Sequence, residues 1–147
     1  MMNKKRFQWI TLLFLMFGAL TACAVTDFET ETVVEGEWYS TKEEVAEYLY
    51  LYEELPPNYL TKQEAGKLGW DSQAGNLWEV AEGMSIGGDY FGNWEGLLPE
   101  DYDYYEADIN YEGGYRNAER IVYSEEGLIF YTDDHYASFE QLYGEEE

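Results

Sequence analysis

The spacing of apolar residues along the chain changes once. Between Thr41 and Tyr52, Val45, Leu49 and Tyr52 recur at helical spacing with Tyr48 and Leu51 alongside, an apolar stripe with a period of about 3.6 residues. Ser40-Thr-Lys-Glu43 and Thr41-Lys-Glu-Glu44 both read as capping boxes at its start, and Leu55-Pro-Pro-Asn58 ends it. Thr61, with Glu64 three residues on, opens a second short helix that Gly69 closes, and Gly75–Ala81 allows a third. From Ser85 onward alternation and Gly-rich turns take over, predicting strands at Ser85–Phe91, Tyr104–Asn110, Glu119–Ser124, Leu128–Thr132 and Phe139–Tyr143. Helices followed by strands define an α+β domain, with N-terminal helices packed on one face of a C-terminal antiparallel β-sheet.

The head of the chain follows a different logic. Lys4, Lys5 and Arg6 precede an apolar run from Trp9 to Leu20, which is short for a membrane span of about 20 apolar residues and fits an export signal. Leu20-Thr-Ala-Cys23 resembles the bacterial lipoprotein processing box, which implies lipidation of Cys23 and anchoring to the membrane by its acyl chains. The competing reading is an uncleaved signal anchor, since Phe7 to Thr26 carries no charge. Both place the domain outside the cytoplasm, lipid-anchored on the outer membrane face or secreted. The expected organisation is a signal peptide over residues 1–22, an acidic tether over 23–40 and one domain over 41–147. Val33, Val34 and Trp38 would touch that domain at the far end of the tether.

With 46% hydrophobic and 18% aromatic residues, 147 residues suffice for one domain with a core, so the acidity does not signal disorder. One cysteine excludes an internal disulfide framework. A single His far from it cannot build a zinc site, and no EF-hand-type loop is present, so neither metal nor cofactor is expected. Eight Lys and Arg against 31 Asp and Glu give a formal charge of −23. Without Lys4, Lys5 and Arg6 the balance is 5 against 31, or −26. Such a surface repels nucleic acid at low salt, because phosphate binding normally rests on neutralisation by Lys and Arg.

The scarce cations are not scattered. Arg116, Arg120 and the lone His135 fall within 20 residues of one another, beside Glu106-Ala-Asp-Ile-Asn-Tyr111. A carboxylate, two guanidiniums and an imidazole are the groups needed for acid–base chemistry at a phosphodiester. Spacing alone favours the plainer reading, in which Arg116 and Arg120 simply pair with neighbouring acids. Lys62, in the first turn of its helix, does not complement the helix dipole there, and a solvated lysine is the ordinary alternative.

Glu106-Ala-Asp-Ile-Asn-Tyr111, Gly114-Tyr-Arg-Asn117, Arg120-Ile-Val-Tyr-Ser124 and Asp134-His-Tyr136 together resemble the C-terminal half of the barnase family of microbial guanyl-specific ribonucleases. The likeness runs upstream through Leu55-Pro-Pro-Asn-Tyr-Leu-Thr-Lys62, Leu68-Gly-Trp70 and Ser85-Ile-Gly-Gly-Asp89, covering roughly residues 41 to 143 in order. It implies the microbial ribonuclease fold, a monomer and a single-stranded RNA substrate, cleaved without metal by 2′-OH transesterification through a 2′,3′-cyclic phosphate. Carried over by position, Glu106 is the base and His135 the acid. Arg120, Arg116 and Lys62 stabilise phosphoryl charge, Asp108 orients the arginines, Asp89 holds Lys62 and Tyr136 supports substrate. Phe91, Gly92, Asn93, Trp94 and Glu95 form the guanine-binding loop, Glu95 accepting from the base and Gly92 and Asn93 supplying backbone amides. Trp94 departs from the family, where Arg is expected between the Asn and the Glu; base stacking takes the place of a cation. A barstar-like inhibitor is the implied protein partner, and Trp94 and the acidic surface both weigh against its acidic face.

Retention of Glu106, Arg120 and His135 together favours an enzyme over two other classes. One is a catalytically inert acidic surface lipoprotein using the fold to bind a protein; the other is a nucleic-acid mimic. The charge is reconciled with RNA cleavage if the acids lie on the outer surface of a domain meeting a saline or alkaline exterior. At molar salt the Debye length is about 3 Å, so surface repulsion fades while cleft contacts persist.

Overall fold

A computed structural model describes residues 33–144. The leader, Cys23 and residues 23–32 of the expected tether lie outside the described residues, as do residues 145–147. The elements are α1 (Lys42–Tyr52), β1 (Tyr59–Leu60), α2 (Lys62–Lys67), α3 (Leu77–Val80), β2 (Ser85–Phe91), β3 (Tyr104–Asp108), β4 (Arg120–Ser124), β5 (Ile129–Thr132) and β6 (Glu140–Tyr143). They form one six-stranded sheet in the order β1-β2-β3-β4-β5-β6. Strands β2 to β6 pair antiparallel, and β1 pairs parallel to β2. The α+β expectation stands, with one addition: β1, at two residues, is too short to show any periodicity.

Of the two overlapping capping boxes at α1, only Thr41 caps the helix, its hydroxyl accepting from the Glu44 amide at 3.3 Å. The Ser40 carbonyl instead accepts from the Asn110 N–H at 2.8 Å, tying the helix entry to the end of β3. α1 buries Val45, Ala46, Tyr48 and Leu49. Val45, Ala46 and Leu49 pack on Ile109, Ile121 and Ile129 from one sheet face. At α2, Thr61 and Glu64 complete a reciprocal capping box.

The opposite face has its own core. Tyr104, Val122 and Phe130 pack with Leu98 and Leu128, and Phe91, Tyr136 and Phe139 close over them. Register places Glu106 beside Val122 and Asp108 beside Arg120, so alternation projects Tyr104, Glu106, Asp108, Arg120 and Val122 to this face. A bulge in β2 between Gly87 and Asp89 sets Asp89 against Glu106. Gly87 leaves room for a neighbour: a Cβ there would stand 2.5 Å from Tyr59 Cδ1. The Tyr59 ring passes over Gly87, and its hydroxyl donates to the Asp108 carbonyl at 2.7 Å.

Residues 33–40 lie against the domain. Val33 is buried, Val34 and Trp38 are exposed, and the Gly36 amide donates to the Tyr48 hydroxyl at 3.0 Å. The buried Asn58 side chain brackets Tyr39, accepting from its amide at 3.3 Å and donating to its carbonyl at 2.8 Å. Burial of Val33 alone is worth roughly 2 kcal/mol. A chain starting at Thr41 is therefore expected to melt about 10 °C below one starting at Ala24. Equal melting temperatures in calorimetry would show that these contacts contribute nothing.

Candidate active site

At the sheet's open face, Asp108 ends β3 almost fully buried and faces two guanidiniums. Arg116 forks onto it, Nε donating to Oδ2 at 2.8 Å and an Nη to Oδ1 at 2.7 Å. Arg120 Nε lies 3.0 Å from the same Oδ1, an ion pair without an aligned N–H. Arg120 is itself 2% exposed, which a cation tolerates only when paired. Its Nη1 donates to the carbonyls of Asn117 at 2.8 Å and Glu119 at 2.7 Å. Asn117 is locked in turn by its amide donating to the Ile109 carbonyl at 2.8 Å. Burial pulls the Arg116 pKa down, and the hydrogen bonds and charge of Asp108, helped by Glu106, outweigh it, so the net shift is upward.

Glu106, two residues back on the same face, is the second carboxylate. Its Oε2 accepts from the Tyr136 hydroxyl at 2.7 Å, and its Oε1 lies 3.7 Å from Lys62 Nζ. Burial, then the bond to Glu106, pushes the Tyr136 phenol well above its usual range, so it stays a donor. Asp89 does not take the expected role. Its carboxylate accepts from the Lys62 backbone amide at 3.0 Å, anchoring the first turn of α2, and the ammonium turns to Glu106.

The Thr132–Ser138 loop delivers the imidazole. His135 and Tyr136 both adopt left-handed backbone, φ 53° and 73°. Such geometry costs about 1–3 kcal/mol per residue and persists only where surroundings enforce it. Asp134 enforces it, accepting from the Ser138 hydroxyl at 2.5 Å, the Ser138 amide at 2.9 Å and the Thr132 hydroxyl at 2.8 Å. These bonds hold its carboxyl down to about 2. The Tyr136 amide donates to Thr132 Oγ1 at 3.1 Å and the His135 amide to the Ala118 carbonyl at 3.2 Å. His135 is left exposed at the rim, its ring 4.8 Å from that of Tyr136.

Beyond Tyr136 the cleft widens into a cavity of about 390 Å³ walled by Phe91, Trp94, Glu95, His135, Tyr136 and Phe139. Tyr136 stacks on Phe91 with centroids 5.1 Å apart. Asn93 shapes the loop: at φ 48° its side chain clamps Leu98, donating to the carbonyl at 3.0 Å and accepting from the amide at 3.1 Å. Asn is among the few residues that adopt this conformation readily. Phe91, Asn93, Trp94, Glu95, His135 and Tyr136 thus share one wall, and Gly92 lies against the Trp94 indole. Glu106, Lys62, Arg116 and Arg120 gather next door, and Tyr136 joins the two halves.

Sequence reasoning assigned no role to Asp134, Thr132, Asn117 or Phe139. The Thr-Asp-Asp-His run carried a usable signal, since Thr and Asp side chains habitually close local turns. Phe139 carried none, being one aromatic among many.

The fold and this set of groups define a nuclease. The family model for ribonuclease matches residues 42–143. A ribonuclease from Heyndrickxia coagulans is 53% identical over 105 residues, covering 70% of this chain and 96% of that protein. Ribonucleases from Bacillus intermedius and Bacillus pumilus are also 53% identical over 105 residues, 65% of each relative's length. The chain belongs to the barnase family of ribonucleases and is an endoribonuclease.

Because Asp108 is the shared counter-charge of both guanidiniums, Asp108→Asn is expected to destabilise the domain by roughly 3–5 kcal/mol. Urea denaturation measures this, and a loss below about 1 kcal/mol would mean the arginines find other partners.

Proposed function

We propose that this chain is an extracytoplasmic, membrane-anchored endoribonuclease that prefers guanine and needs no metal. One observation supports the chemistry most directly: a single carboxylate, Glu106, lies beside Lys62 and Tyr136 and next to the arginine pair, with His135 one residue from Tyr136. Glu106 removes the proton from the 2′-OH, whose oxygen attacks phosphorus. Protonated His135 delivers a proton to the departing 5′-oxygen, leaving a 2′,3′-cyclic phosphate. The roles reverse when water opens the ring. Arg120, Arg116 and Lys62 stabilise charge on the phosphoryl oxygens, and fixed donors of this kind act most strongly where water is excluded. Tyr136 orients Glu106. Base, acid and charge stabiliser are all side chains, so a metal has no step left to perform. DNA, lacking the 2′-OH, is spared.

Guanine preference rests on Glu95 at the cavity wall, which would accept from two donors on one base edge, with backbone amides of Gly92 and Asn93 meeting its carbonyl. Adenine presents a different edge. Anchoring rests on Leu20-Thr-Ala-Cys23.

The test is cleavage of a short RNA holding one guanosine, in EDTA, by the chain from Ala24 onward. Cleavage after G alone is expected. His135→Ala and Glu106→Gln should each lower kcat by about 10²- to 10⁴-fold. Activity unchanged in both variants would remove them from the mechanism. For location, Cys23→Ser should release the protein from the membrane fraction; unaltered fractionation would exclude lipidation as the anchor.

A further inference from the structure

Trp94 has no part in holding the fold. It is 90% exposed, in a chain whose other large aromatic residues at the site are at least half-buried or stacked. It is nonetheless seated: a Cβ on Gly92 would stand only 2.2 Å from its Nε1, so the indole rests directly on the glycine backbone. Only a residue without a side chain leaves that seat open. The indole lines the cavity together with the stacked Phe91 and Tyr136.

The cleft's charges explain what such a wall is for. Each cation near Glu106 already faces a carboxylate: Lys62 lies by Glu106, and Arg116 and Arg120 share Asp108. Lys62, Arg116 and Arg120, with His135 when it carries its proton, stand against Glu95, Glu106 and Asp108, which leaves at most one net positive charge to draw in a polyanion. Neutralising Z phosphates of a single strand gives a salt slope of about −0.7Z, and here Z is small. Affinity must come from elsewhere, and stacking of a base on an aromatic ring supplies about 1–3 kcal/mol per base, tolerates any base and needs no charge.

We propose that Trp94 is a stacking platform for an unpaired base of the RNA, and that it holds the strand where the cleft offers little net positive charge. Resting on the ribonuclease reading, the strand is then bound with little salt dependence.

The test uses the chain from Ala24 onward with a single-stranded oligonucleotide carrying 2′-deoxyguanosine at the one cleavable position, so binding is read without turnover. Affinity is measured at 0.1 and 1 M NaCl, between which the Debye length falls from about 10 to about 3 Å. For the native chain it should change little between them. Trp94→Ala should weaken binding about 5- to 150-fold at both salts, the fold-change equivalent of the stacking range. Trp94→Phe should keep most of it, and Trp94→Arg should recover affinity at low salt only, steepening the slope by about 0.7. With cleavable RNA, Trp94→Ala should raise KM and leave kcat unchanged. Unaltered affinity in Trp94→Ala, or a native salt slope as steep as that of Trp94→Arg, overturns the proposal. Failure of the ribonuclease reading would show differently, as binding without any cleavage.

Discussion

One buried carboxylate serving two guanidiniums is the constraint on which the rest of this face depends. Asp108 can occupy its position only because β3 and β4 register it against Arg120. Two cations around one anion leave a positive surplus in a poorly hydrated setting, and burial of unpaired charge costs several kcal/mol per ion. Glu106 lies in the path of that surplus. The same network reaches outward through Tyr59, which crosses Gly87 to hold the Asp108 backbone, and through Asn117, which binds both Arg120 and the end of β3. The arginines are therefore fixed by the scaffold, whereas Lys62, half-exposed on α2, has freedom to follow a phosphate.

The rim is governed by strain instead. Two successive left-handed residues put His135 outside and turn Tyr136 inward; Asp134 closes the turn through Thr132 and Ser138, Thr132 holds the Tyr136 amide, and the Ala118 carbonyl holds that of His135. Imidazole and phenol thereby belong to one rigid turn joining the charged half of the cleft to the aromatic half. A proton donor held this way keeps its position without being buried, so it stays in contact with water for reprotonation.

The acidity of the chain and its enzymatic class are compatible because charge and site are organised at different lengths. Carboxylates on the outer surface act over a Debye length, about 8 Å at physiological ionic strength, and weaken as salt rises. Contacts of 2.7–3.7 Å in the cleft lie well inside that length at physiological salt. Stacking, unlike charge, gains from salts that favour burial of apolar surface.

Local pattern determined much of this protein. The period change at Ser85 marks the helix-to-sheet boundary, the α1 stripe names Val45, Tyr48 and Leu49 as buried, and β2 falls where alternation places it. Glu106, Arg116, Arg120 and His135 stand out because cations are few. Pattern could not show which of Ser40 and Thr41 caps α1, because that choice rests on Asn110 claiming the Ser40 carbonyl. Contact of Val33 with the domain was legible, but pattern could not show that Asn58 brackets Tyr39, that β1 exists, or that Asp89 binds a backbone amide and not an ammonium. Those facts depend on groups 27, 30 or 49 positions apart meeting at hydrogen-bond distance, as Lys62 meets Asp89, Tyr136 meets Glu106 and Tyr59 meets Asp108. Periodicity is a property of neighbours along the chain, and such meetings are decided by strand register and a single bulge, which only the folded sheet supplies.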